Sequence, residues 1–183
     1  KNEKLRVPGG PKVAPKYKSR LVVRGDLEKL ESTVRSDSPT ADNEAQNLIF
    51  SFASSNKLVI NSIDITNAYF QGEEQDRLML LRQPPTGLPG VPEGHYIMAR
   101  VPIYGTKDSG RKFWKQLRST FLTHGFKENH IFKAFYHAHD EAGNIIAMVA
   151  THVDDVLWAS TPAGDAMMRK VLDAFQSGES EKG

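Results

Sequence analysis

The stretch THVDDVLW, residues 151–158, decides how this sequence is interpreted. It places two adjacent acids, Asp154 and Asp155, between the apolar runs IIAMVA and VLWA. Both runs are short and rich in β-forming residues, and so brief a connection predicts an antiparallel hairpin with the acids at its tip. Because side chains alternate along a strand, the two acids point to different sides unless the turn redirects one of them.

Two interpretations of this acidic tip are open at the level of the sequence. Asp is common in solvated turns, which is a simple structural explanation. Adjacent carboxylates in a partly apolar setting also repel each other unless a cation compensates, and Mg²⁺ prefers oxygen ligands. A third acid, Asp64, ends an apolar segment in which Ile63 and Ile65 indicate packed neighbours. If Asp64 lies beside the tip, three carboxylates meet, as a two-metal phosphoryl-transfer site requires.

The segments around this hairpin alternate between strand and helix patterns. Strands are predicted at residues 20–24, 57–64, 78–81, 96–102 and 134–137. Helices are predicted from a Ser38-Pro39 cap to Asn56, over residues 109–124, and from a Thr161-Pro162 cap to residue 175. We therefore predict an α+β domain with a mixed or antiparallel sheet and helices on one face.

Composition and charge narrow the class of protein. The chain has 183 residues, 39% of them hydrophobic, and a formal charge of +2, so it is long enough to form a packed core. Residues 1–17 are rich in Pro and Gly and predict an extended basic arm. The absence of cysteine excludes disulfides, thiolate metal sites and a cysteine nucleophile. No apolar run suits a membrane span or signal peptide, so we expect a soluble protein without a membrane partner.

Five sequence blocks occur in a fixed order along the chain. They are KSRLVVRG (residues 18–25), DITNAYFQG (64–72), QPP (83–85), YGTK (104–107) and VDD (153–155). In this order and spacing they resemble the reverse transcriptase domain of copia-type LTR retrotransposon Pol polyproteins. The resemblance starts near Lys16, and it implies a fingers-and-palm polymerase domain over residues 18–183, preceded by the arm at residues 1–17.

The resemblance also implies a catalytic site. Asp64, Asp154 and Asp155 match the family's catalytic acids, which bind two Mg²⁺ ions, or Mn²⁺, with the Ile65 carbonyl as a further ligand. The implied activity is that of an RNA-directed DNA polymerase, in which a primer 3′-hydroxyl attacks the α-phosphate of a deoxynucleoside triphosphate. The implied partners are an RNA or DNA template with its primer, the nucleotide, and the remainder of the Pol polyprotein.

Further residues take roles by the same resemblance. Lys18 and Arg20 match basic residues that contact the incoming triphosphate, and Tyr69 matches an aromatic gate that excludes a ribose 2′-hydroxyl. Three positions depart from the family pattern: Asp108, His152 and Gly110, the last of which stands in place of a Pro. Asp108 stands near the nucleotide in place of Gln, and an ionised carboxylate there would repel phosphate. His152 stands beside the primer terminus in place of Tyr.

The predicted helix over residues 109–124 has a basic outer face. The residues concerned are Arg111, Lys112, Lys115 and Arg118. They either follow a nucleic-acid backbone or form an ordinary solvated helix face. Two alternatives to a polymerase therefore stay open: an inactive remnant that binds nucleic acid, which Asp108 motivates, and an unrelated α+β domain with an incidental acidic turn.

Three expectations complete the interpretation. The family's thumb, connection and RNase H regions are not in this sequence, so we expect weak processivity. The family also implies localisation to cytoplasmic virus-like particles. His137 and His139 border the turn at residues 140–144 and, without a fourth ligand nearby in the sequence, predict a solvated hairpin end rather than a metal site.

Overall fold

The structure, a computed structural model, describes residues 20–28, 34–176 and 181–182. Its strands are β1 (Ile60–Asp64), β2 (Leu80–Arg82), β3 (Tyr96–Met98), β4 (Lys127–Glu128), β5 (Phe135–His139), β6 (Ile145–His152), β7 (Asp155–Ser160) and β8 (Glu181–Lys182). Its α-helices are α1 (Asn43–Asn56), α2 (Ser109–Thr123) and α3 (Pro162–Leu172). The predicted arm at residues 1–17 lies outside the described residues.

The larger of two sheets places the predicted hairpin at its centre. Its strand order is β4-β5-β6-β7-β1-β8, and every neighbouring pair is antiparallel. Strands β6 and β7 pair from Ala147↔Ser160 to His152↔Asp155, so Val153 and Asp154 alone form the connection. Strands β2 and β3 form a separate two-stranded sheet. The antiparallel sheet and the acidic hairpin tip are thus confirmed.

Helices cover both faces of the large sheet, so the prediction of helices on one face was wrong. On one face, Val149, Val156 and Trp158 pack with residues of α2 and α3. On the other face, Ala150 and Leu157 pack with Ala45, Ile49 and Ala53 of α1. The reason lies in the runs IIAMVA and VLWA, which are apolar at consecutive positions. A strand that is apolar on both sides needs cover on both faces.

The helix ends show which local signals were informative. Helix α1 is capped by Asp42, whose carboxylate accepts a 2.9 Å hydrogen bond from the Ala45 amide, and not by Ser38 as predicted. Its left-handed C-terminal residue is Lys57 rather than Asn56. The Thr161-Pro162 cap of α3 is confirmed, because the Thr161 side chain accepts a hydrogen bond from the Gly164 amide. Both Ser38 and Asp42 precede α1 and are residue types that cap helices, so the sequence alone did not decide between them.

Residues 20–24 do not form the predicted strand, although their backbone is anchored. The Val23 amide donates a 2.8 Å hydrogen bond to the Tyr104 carbonyl. A Cβ on Gly25 would overlap the Gly105 carbonyl oxygen, and a Cβ on Gly105 would overlap the Val23 carbonyl oxygen. Two glycines therefore let the N-terminal segment lie directly against the Tyr104-Gly105 turn.

Replacing Gly25 with Ala (G25A) is expected to release residues 20–28 from this turn, because the new methyl group cannot occupy the space of a backbone carbonyl. Hydrogen exchange at the Val23 amide should become at least about tenfold faster, while exchange in β6 stays unchanged. G90A is the control: a Cβ on Gly90 meets no neighbouring atom, and the backbone strain that a side chain causes at its φ of 77° falls in a loop more than 60 positions from residues 20–28. Equal protection of Val23 in G25A and the wild type would contradict this packing.

Among the residues described, no helix combines the length and apolar character needed to cross a bilayer.

Candidate active site

The three predicted catalytic acids converge at one end of the large sheet. Strand β1 ends at Asp64, which is the antiparallel partner of Asp155 in the register of β1 and β7. One residue further on, the Ile65 amide donates a 2.9 Å hydrogen bond to the Asp154 carbonyl. Asp64, Asp154 and Asp155, the acidic cluster, therefore share one edge of the fold.

The turn that carries two of these acids has an unusual backbone. Val153 has a φ of 56°, a left-handed value that is rare for a β-branched residue, whereas Asp154 is not among the residues with positive φ. A positive φ at the first residue alone is the φ pattern of a type II′ turn, one of the turns favoured in two-residue hairpin loops. Such backbone strain is typical of functional sites, where surrounding contacts hold it in place. Here the Ile65–Asp154 hydrogen bond supplies one of these contacts.

The acidic cluster carries negative charge that its neighbours do not neutralise. Among the described residues, no cation forms a salt bridge with any of the three carboxylates. Partial burial, followed by the charges of Asp154 and Asp64, raises the pKa of Asp155 above its usual range, and His152 opposes this shift. The negative charges of Asp154 and Asp64 thus lie close enough to Asp155 to disfavour its ionisation.

Replacing Asp155 with Asn (D155N) is expected to stabilise the fold at neutral pH. A carboxyl whose pKa is raised in the folded state binds a proton more readily there than in the unfolded chain. Its ionisation therefore lowers stability as the pH rises through the interval from its ordinary pKa to the raised value. We expect D155N to increase the melting temperature by roughly 1–3 °C at pH 7. The difference should vanish in acid below the ordinary pKa, and a difference that persists there would exclude this electrostatic origin.

The donor set of the acidic cluster suits a hard divalent cation. It consists of carboxylate oxygens and the neighbouring Ile65 carbonyl, which are the ligand types that Mg²⁺ and Mn²⁺ accept. Within the described part of the chain, however, no three acidic or histidine side chains are already oriented around a common point as metal ligands. The backbone thus brings the donors together, and binding would require the exposed Asp64 and Asp155 side chains to reorient.

Aromatic rings border the acidic cluster. The rings of Tyr69 and Tyr104 are 4.8 Å apart, and Phe70 contacts Tyr104 at 5.6 Å. Burial raises the pKa of both tyrosines, and the charge of Asp154 contributes to both shifts. Tyr69 is therefore within electrostatic range of the acids. Sequence reasoning used Tyr104 only as part of a motif and missed it as a site residue.

Arg20 lies on the same group of aromatic rings. Its guanidinium carbon is 4.9 Å from the centre of the Tyr104 ring, and the side chain is exposed. Its charge opposes the rise in the pKa of Tyr69 and of Tyr104. The structure thus places a cation next to the aromatic rings and the acids, whereas Lys18 lies outside the described residues. His152 is exposed and is the cross-strand partner of Asp155.

Asp108 is buried and engaged in an ion pair. Arg77 donates hydrogen bonds of 3.3 and 3.0 Å to its two carboxylate oxygens and also pairs with Glu28. Lys107 joins this network, since its amide donates to the Glu28 carboxylate and its ammonium group donates to the Glu28 carbonyl. The negative charge of Asp108 is therefore compensated within the protein. Its repulsion of a phosphate should be weaker than the sequence suggested.

The basic face of α2 is similarly compensated. Arg111 pairs with Asp37, Lys115 with Glu73, and Arg118 with Glu128. Lys112 is buried rather than on the outer face, with a salt bridge to Asp76 and a hydrogen bond to the Glu74 carbonyl. Each of these four cations has an acidic partner. A nucleic-acid contact through this face would have to displace the acids.

A cleft lined by Gln83, Pro85, Tyr96 and their neighbours lies in the region of β2 and β3. Of the residues predicted for catalysis or nucleotide binding, none that the structure describes lines it. The acidic cluster instead lies on an open edge, which suits a large substrate better than a small enclosed one.

Comparison with known proteins gives a consistent family assignment. A family model described as reverse transcriptase (RNA-dependent DNA polymerase) matches residues 10–175. The chain is 27% identical over 161 residues, 87% of its length, to the retrovirus-related Pol polyprotein from transposon RE2 of Arabidopsis thaliana. It is 25% identical over 143 residues, 78% of its length, to the corresponding polyprotein from transposon RE1 of the same plant.

The chain spans only 11% and 10% of the length of these two curated relatives. The family match nevertheless covers most of the present sequence, including the acidic cluster. The resemblance inferred from the sequence blocks is thereby confirmed, and the chain belongs to the reverse transcriptase family found in the Pol polyproteins of copia-type retrotransposons.

Proposed function

We propose that this chain forms the fingers-and-palm part of an RNA-directed DNA polymerase and that the acidic cluster is its catalytic site. One observation carries the proposal: Asp64 is the register partner of Asp155, and Ile65 is hydrogen-bonded to Asp154. Acids from separate segments of the chain thus meet on one open edge. A two-metal nucleotidyl transfer requires several oxygen ligands close enough together to hold two ions about 3.5–4 Å apart.

The reaction would join a primer 3′-oxygen to the α-phosphorus of a deoxynucleoside triphosphate while the bond to pyrophosphate breaks. Asp64, Asp154, Asp155 and the Ile65 carbonyl would hold two Mg²⁺ ions, or Mn²⁺. Bound there, the ions would supply Lewis-acid stabilisation of the attacking and leaving oxygens. The protein itself holds these oxygen donors close together. Among the described residues, no cation forms a salt bridge that would neutralise them.

Arg20 would bind the triphosphate. Its guanidinium group lies on Tyr104, whose pKa responds to both Arg20 and Asp154, so the cation faces the same edge as the acids. A bidentate cation suits the charge that develops on the β- and γ-phosphates. We assign the same role to Lys18 from its place in the sequence block.

Tyr69 would select deoxynucleotides. Its ring is fixed against Tyr104 and lies within electrostatic range of Asp154. A ring held in this way can fill the space that a ribose 2′-hydroxyl would need. His152, as the strand partner of Asp155, would contact the primer terminus.

The experiment that tests this function is incorporation of deoxythymidine triphosphate on an oligo(dT)-primed poly(rA) template, with Mg²⁺ or Mn²⁺. We expect incorporation that requires the divalent ion and the template. A chain that is folded by circular dichroism and binds the primed template, yet incorporates nothing with either ion, would contradict the proposal.

The inactive nucleic-acid-binding remnant has less support than a polymerase. Asp108 motivated that alternative, and its charge is compensated by Arg77. That alternative also relied on the basic arm at residues 1–17, which lies outside the described residues, and on helix α2, where Arg111, Lys112 and Lys115 are each paired with an acid. Retained template binding together with no incorporation would nevertheless favour the remnant.

A further inference from the structure

The loop that carries Tyr69 is joined to a distant part of the chain by one side chain. Tyr69 lies in the short 3₁₀ helix Ala68–Gln71, which follows Asn67 and ends before Gly72. Gln71, the last residue of this helix, makes three hydrogen bonds through its side-chain amide. The proposed polymerase function gives Gln71 no role, so these contacts need a separate explanation.

The three hydrogen bonds connect Gln71 to two separate segments. Its Nε2 atom donates to the Thr66 carbonyl at 2.7 Å. The same atom donates to the Gln176 carbonyl at 3.1 Å, and the Gln176 amide donates to Oε1 of Gln71 at 2.7 Å. Gln176 follows α3 and lies 105 positions further along the chain. The Gln71 side chain therefore closes the loop over residues 66–71 and fastens it to the segment after α3.

The partners of this amide fix its orientation. The carbonyl oxygens of Thr66 and Gln176 can only accept hydrogen bonds, so both require the NH₂ group of Gln71. The Gln176 amide can only donate, so it requires the side-chain oxygen. Exchanging the oxygen and nitrogen of the amide would leave all three contacts without a donor and acceptor pair. Both polar atoms of the side chain are thus used, and the chain direction at Gln176 is matched to them.

The two ends of the 3₁₀ helix are also constrained. At its start, Asn67 has a φ of 53°, and this left-handed conformation turns the chain sharply after Thr66. The hydrogen bond from Gln71 to the Thr66 carbonyl spans this turn. At its end, the chain lies directly against α2, since a Cβ on Gly72 would be 2.9 Å from the Phe113 nitrogen. The helix is therefore held by α2 on one side and by the Gln71 side chain on the other.

These constraints determine where the Tyr69 ring lies. The ring contacts Tyr104 with 4.8 Å between the ring centres, and the Tyr69 carbonyl accepts a 3.1 Å hydrogen bond from the Gly72 amide. Gln71 is two residues beyond Tyr69 in the same helical turn, so a shift of the helix would carry the ring with it. A misplacement of about 1 Å in an active site can change a rate about 100-fold.

We propose that Gln71 is a positioning residue, which holds the Tyr69 loop to the segment after α3 and on which the selection of deoxynucleotides over ribonucleotides depends. Gln71 acts through Tyr69 and contacts no substrate. The selection role rests on the proposed function of Tyr69. The anchoring of the loop rests on the three hydrogen bonds alone, so the two parts can be tested separately.

The anchoring is tested by hydrogen exchange in Gln71→Ala and Gln71→Met. Met has nearly the length of Gln but cannot replace the amide as a donor, so it separates hydrogen bonding from packing. In both variants the amides of Phe70, Gly72 and Gln176 should exchange at least about tenfold faster, while exchange in β6 stays unchanged. Gln46→Ala is the control, since Gln46 lies in α1 on the other face of the large sheet. Wild-type exchange at all three amides in both Gln71 variants would overturn the anchoring.

The selection role is tested by the ratio of kcat/KM for deoxythymidine triphosphate to that for ribothymidine triphosphate, which differ only at the 2′ position. We expect this ratio to fall about tenfold in Gln71→Met and to keep its wild-type value in Gln46→Ala. Partial misfolding would lower both rates equally and leave the ratio unchanged, so the ratio reports the position of Tyr69. Faster exchange with an unchanged ratio would overturn the selection role.

A failure of the proposed function gives a different result. If the wild-type chain incorporates neither nucleotide, the selection role falls together with the proposed polymerase. The exchange rates of the three amides would then still decide whether Gln71 anchors the loop.

Discussion

Replacing Asp154 with Asn (D154N) is expected to reduce nucleotide incorporation at least about 100-fold, because the loss of one preorganised transition-state contact costs roughly 10²–10³ in rate. Asn has nearly the same shape as Asp but lacks its charge. The structural contact of this residue is its backbone carbonyl, which accepts from the Ile65 amide and is kept in the variant. The variant should therefore fold normally but lose nucleotide incorporation.

The matched control is D173N. Asp173 is exposed at the C-terminal end of α3, outside the acidic cluster, so D173N should incorporate nucleotide at the wild-type rate. Both variants are measured with Mg²⁺ and with Mn²⁺ on the same primed template. Activity in D154N within a few-fold of D173N would refute a catalytic role for the acidic cluster.

Replacing Arg77 with Met (R77M) is expected to have the largest effect on stability. Arg77 pairs with Asp108 and with Glu28, whose side chains are only 4% and 14% exposed. Removing the cation leaves two carboxylates partly or fully buried without a counter-charge. Breaking such a buried pair costs about 3–5 kcal/mol, and we expect about 2–4 kcal/mol because Arg77 itself is partly exposed.

The matched control for R77M is R24M. Arg24 also pairs with an acid, Asp26, but both side chains are mostly exposed, so this pair should contribute little. Urea unfolding compares the free energies of unfolding of the two variants. The double variant R77M/D108N should recover part of the lost stability, because it removes one of the two buried carboxylates that have lost their counter-charge. Equal stability of R77M and R24M would contradict a structural role for the Arg77 network.

Much of the fold follows from local sequence signals. The run from Ile145 to Trp158 predicted the central hairpin because its apolar segments are too closely spaced for any other connection. The Thr161-Pro162 signal located α3, and Gly125, with a φ of 86°, follows the end of α2 as expected. These features depend on interactions between residues close in sequence.

Long-range packing explains the failures. Residues 20–24 have the pattern of a strand, but their one long-range backbone hydrogen bond among the described residues is to the Tyr104 carbonyl, more than 80 positions away. The basic residues of α2 predicted an outer face that is either solvated or in contact with nucleic acid, whereas Lys112 is buried against Glu74 and Asp76. No local sequence pattern predicts partners that lie so far away along the chain.

The candidate site also has some features that local sequence signals predicted and others that depend on long-range contacts. Asp64, Asp154 and Asp155 were identified as candidates from the sequence, while their meeting depends on the register of β1 and β7. The roles of Tyr104 and Arg77 were missed, since each depends on contacts with distant segments. The pairing of Asp108 shows that a residue which departs from a family pattern can be compensated elsewhere in the chain.

The most direct measurement is Mn²⁺-induced broadening of backbone amide signals in the NMR spectrum of the isotopically labelled chain. A paramagnetic ion held by the acidic cluster should selectively broaden the amides of Ile65, Val153, Asp154 and Asp155. In D154N the same broadening should need much more Mn²⁺, while D173N should match the wild type. Broadening that is absent from these amides, or that is the same in D154N, would contradict a divalent-cation site at the acidic cluster.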